Sequence, residues 1–280
     1  MTTPVTTLLT FISPSDSVDL YSIPMKPQFA LSALILALAP VSGHAANLLV
    51  NGGFETNTGG IPNSWTYAAG ADGPATVQST PSSPFININP FGAAAVLLTD
   101  GATTITFPDL LQTFTTQTAG ILNVAWDFRL NTLTGSSWGV QIDDSTTSQT
   151  RFNMDASGNF VVENQFGATT TIMPLVANTW YQVQVTLNMN TKRLSGTITS
   201  ESLVATAIPD EDWRVTGGSN TINRVLILDN AAAASGNILF DNFAADRLPL
   251  APPAIVPEPS ALLLLGLGGV AAAARRKRRR

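Results

Sequence analysis

Two stretches of this 280-residue chain alternate strictly between apolar and polar side chains. Residues 121–130 put Leu122, Val124, Trp126, Phe128 and Leu130 on one face and Ile121, Asn123, Ala125, Asp127 and Arg129 on the other. Residues 180–189 repeat the pattern, with Tyr181, Val183, Val185, Leu187 and Met189 opposite Trp180, Gln182, Gln184, Thr186 and Asn188. A period of two is the signature of a strand, and one wet face points to antiparallel sheet. Further strand candidates lie at 136–143, 159–163, 193–199, 222–229 and 237–243, with weaker ones at 65–68, 75–79, 94–99 and 103–107. Turn signals punctuate them: Gly135, Ser157-Gly158-Asn159, Asn190-Thr191-Lys192 and Gly217-Gly218-Ser219-Asn220. No stretch of this region carries a helical period of useful length. Residues 47–247 are therefore predicted to fold as an all-β domain, an antiparallel two-sheet β-sandwich of the jelly-roll kind. No fixed-period repeat points to a solenoid.

Composition removes several function classes. Charged residues make up only 12% of the chain and hydrophobic residues 44%, which opposes disorder along the whole length. There is no cysteine, so disulfides, thiolate metal sites and a cysteine nucleophile are excluded. The one histidine, His44, excludes a polyhistidine metal site and argues against a Ser-His-Asp triad. Residues 47–256 hold 7 basic residues against 16 acids, a net charge of −9. A body of that charge repels phosphate backbones, so no nucleic-acid partner is expected.

Two apolar segments flank this body. Lys26 is followed by the apolar run Phe29–Ala39, then Pro40 and the small residues Gly43, Ala45 and Ala46. Residues 25–46 thus have the three parts of a secretory signal peptide, its apolar run helical, with cleavage expected after Ala45 or Ala46. Residues 1–24 carry Asp16 and Asp19 and no basic residue, the wrong charge for the start of such a signal. They read as a disordered extension produced by a misassigned gene start, with Met25 as the true initiator. At the other end, 248–256 is a Pro-rich linker, expected to be an extended spacer lifting the sandwich off the membrane. Pro257, Glu258 and Pro259 follow, then the apolar segment 261–274 and the basic tail Arg275, Arg276, Lys277, Arg278, Arg279 and Arg280. Fourteen helical residues span about 21 Å, short of the ~30 Å hydrocarbon core, and the arginines can snorkel to make up part of the gap. The cations should hold that end in the cytoplasm, so residues 257–280 read as a sorting segment with a short transmembrane helix.

In its three parts and their order this C-terminus resembles the PEP-CTERM sorting signal. The resemblance covers about 25 residues and implies export in a Gram-negative bacterium. It further implies processing by an exosortase-type membrane enzyme, transient residence in the inner membrane, and delivery to the cell surface or an exopolysaccharide matrix. Two prolines keep the motif extended for an enzyme cleft, and Glu258 is the one charge available there for recognition.

The body carries two looser resemblances. The opening Asn47-Leu48-Leu49-Val50-Asn51-Gly52-Gly53-Phe54-Glu55 is similar to the first strand of galactose-binding-like carbohydrate-binding modules, and Ile238-Leu239-Phe240-Asp241-Asn242-Phe243 to their last strand. That resemblance implies that the two ends lie together and hold a structural Ca²⁺, with Glu55 and Asp241 as carboxylate ligands. The alternative is a bulge at Gly52-Gly53 and a solvated Glu55. The hairpin Asn178–Val183 and Leu194–Ile198 instead resembles the concanavalin and laminin-G sandwiches. The two agree on architecture and differ in topology.

Three functional readings remain. Sugar binding would use aromatic faces among amide donors: Trp180 with Gln182 and Gln184 on the polar face of one strand, and Trp213 on a loop. Core packing is the competing role for Trp180, and Trp126 and Trp138 read as core. The second reading is a structural surface or matrix protein without a discrete ligand site. The third, a glycan-acting hydrolase, needs same-face carboxylates along a strand. Asp143-Asp144 are adjacent and face opposite ways, Asp127 has Arg129 as an expected neutralising partner, and Asp210-Glu211-Asp212 reads as a turn. No serine-hydrolase motif or phosphate-binding glycine loop is present, so the expectation is a non-catalytic protein associated with polysaccharide.

Overall fold

The structure, a computed structural model, describes residues 47–68, 75–79, 81–86, 94–100, 109–133, 135, 137–144, 148–214, 220–229, 236–247, 249–250 and 252–255. The expectations for the signal peptide, for a strand at 103–107 and for the whole sorting segment from Pro257 to Arg280 fall outside them. Among the described residues no helix is long and apolar enough to cross a membrane.

The described strands run in chain order as β1 (Asn57–Thr58), β2 (Ile61–Pro62), β3 (Thr66–Ala68), β4 (Thr76–Gln78), β5 (Phe85–Ile86) and β6 (Ala95–Asp100). Then come β7 (Asp109–Gln117), β8 (Ile121–Leu130), β9 (Trp138–Asp143), β10 (Thr150–Met154), β11 (Asn159–Glu163) and β12 (Thr169–Pro174). The last six are β13 (Trp180–Asn188), β14 (Arg193–Ser200), β15 (Ala205–Asp212), β16 (Ile222–Asp229), β17 (Gly236–Asp246) and β18 (Ala254–Ile255). One seven-stranded sheet, sheet I, has the order β12-β11-β10-β9-β16-β7-β3, and the other, sheet II, the order β15-β14-β13-β8-β17-β6-β4. Every pairing is antiparallel, and the two sheets form the expected all-β sandwich.

The alternation read from the sequence sets which faces meet. Leu122, Val124, Trp126, Phe128 and Leu130 of β8 lie in one buried cluster with Tyr181, Val183, Val185 and Leu187 of β13 and with Val140, Ile142, Phe152 and Phe160 of sheet I. Rings bridge the sheets: the Trp126 and Phe152 centroids are 5.2 Å apart and those of Phe128 and Phe160 are 5.9 Å apart. Each such fully buried side chain contributes roughly 2–3 kcal/mol of hydrophobic stabilisation. Trp126 and Trp138 are both core residues, as their strand faces require.

The two ends of the domain meet. The Leu48 N–H donates to the Ala245 carbonyl (2.8 Å) and the Phe243 N–H to the Gly52 carbonyl (2.9 Å). Gln112 of β7 clamps the first segment, accepting from the Val50 N–H and donating to the Val50 and Ser64 carbonyls, all at 2.8 Å. β17 carries a bulge between Asp241 and Ala244, and Asn242 there has φ 56°. A bulge re-aims side chains; this one turns Asn242 beneath the sheet surface.

Two expectations are corrected. Asp210-Glu211-Asp212 is the end of β15 rather than a turn, because Arg193 on β14 pairs with it and neutralises two of the acids, at 2.8 Å to Asp210 and 2.8 Å to Asp212. The linker is extended but not free-standing: Ala254 and Ile255 pair with Ile86 and Phe85. Backbone hydrogen bonds to the body thus hold part of the expected spacer against the sandwich.

Candidate functional site

The outward side chains of β8, β13, β14 and β15 make a polar strip on sheet II. Cross-strand partners share a face, so Asn123, Thr186 and Ser195 form one row, Ala125, Gln184 and Thr197 a second, and Ile121, Asn188 and Arg193 a third. Two hollows of about 350 and 280 Å³ lie on this strip and adjoin at Thr186 and Ser195. The larger is also lined by Asn123, Gln184, Thr197, Pro249 and Leu250. The smaller reaches Ile121, Asn188, Arg193 and Asp210. Thr186 Oγ1 donates to Asn123 Oδ1 (2.9 Å) and Gln184 Nε2 to Gln182 Oε1 (3.1 Å), which fixes the orientation of both amides. The floor is thus hydroxyls and amides, flanked by the aliphatic Ile121, Pro249 and Leu250. Arg193 donates to Asp210 and Asp212 together, and two carboxylates against one guanidinium leave that end of the strip negative.

Of the residues singled out for sugar binding, only Gln184 lines this groove. Trp180 is 4% exposed and packs in a small apolar cluster with Phe85, Ala95 and Leu239. Trp213 is fully buried in the main core, its indole N–H donating to the Arg193 carbonyl (3.1 Å). Neither ring offers a face to a sugar. Trp180 is on the outward face, as its parity required, but β5 covers that part of the sheet. Gln182, 1% exposed, is spent on a buried partner, donating to Asp127 Oδ1 (2.9 Å).

That partner belongs to a second constellation. Asp127 on β8 and Asp241 on β17 are directly opposite one another. Asp127 Oδ2 accepts from the Ser83 hydroxyl (2.6 Å) and from Asn242 Nδ2 (2.7 Å). Asp241 accepts backbone N–H groups of Ser83 (3.0 Å) and Asn242 (2.7 Å). Arg129 is not the partner of Asp127; it reaches along the sheet to Asn178, donating to its carbonyl (3.0 Å) and side chain (3.2 Å). Burial pushes the Asp127 carboxyl up to about 7, even though hydrogen bonds from Ser83, Asn242 and Gln182 favour the charged form. Asp241 is pushed up to about 8, by burial first, then by the charges of Asp127 and Glu55.

The charge of Glu55 is the smallest of these influences on Asp241. Glu55 is exposed and its Oε1 accepts from the Ala94 N–H (3.1 Å). Among the described residues no three His, Asp or Glu side chains gather as a metal-ligand set. Two carboxylates are few for a calcium ion, which takes six to eight oxygens, and both oxygens of Asp241 already accept backbone N–H groups.

Sheet I holds its outward carboxylates differently. Asp143 is fully buried, bound by Arg224 (2.7 and 2.8 Å) and by Gln141. Glu163 binds Arg214 (2.5 Å) and faces Arg151 (3.6 Å). Asn123, Thr186, Asn188, Ser195 and Thr197 were not singled out from the sequence. Their signal was the outward parity of three strands already recognised, without any statement of which strands become neighbours. Ser83 gave no signal, since it lies in an irregular segment.

Residues 256–279 match the PEP-CTERM protein-sorting motif. Among curated proteins none matches this chain in sequence. Several solved structures align with this chain at low identity. A sialidase aligns with a TM-score of 0.51 at 10% identity, over 68% of this chain and 18% of its own, so the chain spans under a fifth of that enzyme. A peanut lectin aligns with a TM-score of 0.45 at 10% identity, over 71% of this chain and 97% of its own. Carbohydrate-binding module CBM66 from Bacillus subtilis aligns with a TM-score of 0.37 at 14% identity, over 65% of this chain and 95% of its own. The likeness to the sialidase is one of fold alone, an antiparallel β-sandwich, and the sorting motif at 256–279 follows that sandwich in the sequence.

Proposed function

We propose that this chain is an exported surface protein whose sandwich holds neutral polysaccharide along the groove of sheet II. Its C-terminal segment would be recognised by an exosortase-type membrane enzyme through Pro257, Glu258 and Pro259, with 261–274 embedded in the inner membrane and Arg275–Arg280 on the cytoplasmic side. The signal at 25–46 would deliver the body across that membrane, and processing would pass it to the cell surface or the extracellular matrix. The motif match over 256–279 supports the sorting part of this reading.

The observation that carries the sugar part is the groove. Its floor of paired amides and hydroxyls matches the alternating donors and acceptors of a sugar ring, and its aliphatic flank suits ring C–H groups. The acidic body and the Asp210–Arg193–Asp212 group disfavour an anionic polymer. Asp127 and Asp241 are adjacent carboxylates, yet Asp127 is fully buried with both oxygens bound, whereas glycosidic cleavage needs two carboxylates flanking an open cleft. That supports a non-catalytic role.

Ser195 lines both hollows, so Ser195→Leu obstructs them and removes a hydroxyl. Retention of the protein on neutral polysaccharide resins should fall about tenfold, a loss near 1.4 kcal/mol, with the unfolding temperature unchanged. Equal retention of both proteins rejects the groove. Burial of Trp180 and Trp213 favours the second reading, a structural surface protein without a ligand site. An array of neutral glycans on which the wild-type protein gives no reproducible signal would establish that reading instead.

A further inference from the structure

β13 and β14 are antiparallel neighbours, so the loop entering β13 and the loop leaving β14 emerge at the same end of sheet II. Those loops expose three aliphatic side chains: Val176 is 60% exposed, Leu203 49% and Val204 62%. Leu203 also has φ 62°, a left-handed conformation that a branched side chain adopts at a cost. The loop is nonetheless held firmly. The Leu203 N–H donates to the Ser200 carbonyl (2.8 Å), and the Ser200 N–H to the Val204 carbonyl (3.0 Å). A leucine kept strained and wet beside a still more exposed valine is a marked departure from ordinary loop chemistry.

The last described stretch of the chain lies at this same end. Ile255, the last described residue, pairs with Phe85, and Phe85 shares its apolar cluster with Trp180, the first residue of β13. Five residues lie between Ile255 and Ala261, where the apolar segment begins, so the chain covers six Cα-to-Cα steps. Fully extended, they reach about 20 Å at most. The headgroup layer on each side of a bilayer is about 5–8 Å thick. With 261–274 embedded, this end of the sandwich cannot stand far from the lipid. Arg129 lies beside it, held to Asn178, and supplies a cation that suits lipid phosphates. Glu201, in the same loop as Leu203, is exposed and accepts the Trp180 N–H at 3.1 Å.

We propose that the end of the sandwich bearing Val176, Leu203 and Val204 is a lipid-facing surface that rests in the headgroup region of the bilayer holding the C-terminal segment. The proposal rests on the reading of 261–274 as membrane-embedded. The three aliphatic side chains fix which end of the body meets the membrane and orient the polysaccharide groove relative to it.

The chain has no cysteine, so single labelling sites are simple to introduce. Leu203→Cys and Thr191→Cys carry an environment-sensitive fluorophore on the full chain, at opposite ends of the β13–β14 hairpin. Each protein is reconstituted with vesicles of phosphatidylethanolamine and phosphatidylglycerol, floated, and titrated with iodide. The probe at 203 should shift to the blue and be quenched about threefold less than the probe at 191, as expected for a side chain at the headgroup boundary. If the chain floats and the two probes are quenched alike, the lipid-facing surface is wrong and the membrane reading stands. If the chain does not float, the membrane reading fails and the proposal goes with it. Shielding of the 203 probe without vesicles would assign the surface to a second copy of the chain and overturn the lipid assignment.

Discussion

Asp127 makes the stability of this domain depend on pH in a direction opposite to that of an ordinary salt-bridged carboxylate. In the unfolded chain its carboxyl titrates near the usual 3.8, and in the folded protein burial holds the proton to about 7. Between those values the folded state binds more protons than the unfolded state, so stability falls as pH rises. The contribution is complete below pH 4 and is lost as pH passes through about 7. Three pH units correspond to about 4 kcal/mol for this one group. Asp241 lies opposite and the two titrate as a pair, so the second proton leaves at higher pH and extends the decline. For a domain of this size, about 4 kcal/mol is on the order of 10 °C in unfolding temperature. Circular-dichroism melts at pH 5, 6, 7 and 8 should show that fall in the wild-type protein. Asp127→Asn keeps an acceptor for Gln182, and a flip of the Asn242 amide restores its contact, so the variant should melt with a much flatter pH dependence. A wild-type melting temperature that is constant or rises from pH 5 to 8, or equal slopes in the two proteins, would refute the reasoning.

Two other perturbations test the packing and the ends of the domain. A Cβ added at Gly196 would stand 2.1 Å from the Gln184 carbonyl oxygen and 2.9 Å from Val185 Cα, both backbone atoms. Gly196→Ala must therefore push β13 and β14 apart; we expect a loss of about 3 kcal/mol or more in urea denaturation, and a loss under 1 kcal/mol would show that the hairpin has slack. If Glu55 and Asp241 share a calcium ion, millimolar calcium should raise the unfolding temperature at pH 8, flatten the pH dependence above, and do neither in Glu55→Gln. Identical melts in calcium and in chelator would dismiss that ion.

The parity of β8 and β13 was legible because burial on one face leaves a two-residue imprint, and the sandwich followed from it. The strands β7, β10, β12 and β15 were not recognised. In Asp109–Gln117 and Thr169–Pro174 threonines and glutamines blur the alternation, and the three acids of β15 imitate a turn until Arg193 on the next strand is seen to neutralise two of them. Trp180 shows the sharper limit. Its outward position was read correctly, but exposure depends on what lies above a sheet, and Phe85, nearly a hundred residues away in sequence, lies above it. Asp127 was assigned to Arg129 on proximity along the strand, whereas its real partners come from three other segments through Ser83, Gln182 and Asn242. Short-range pattern identifies faces; contacts made across the fold decide what each face does.

The pairing of Ala254–Ile255 with Phe85–Ile86 gives the domain its own seam ahead of the sorting motif. Were the proposed exosortase to sever a peptide bond beyond Ile255, that seam would stay stitched and the body would have nothing to rearrange.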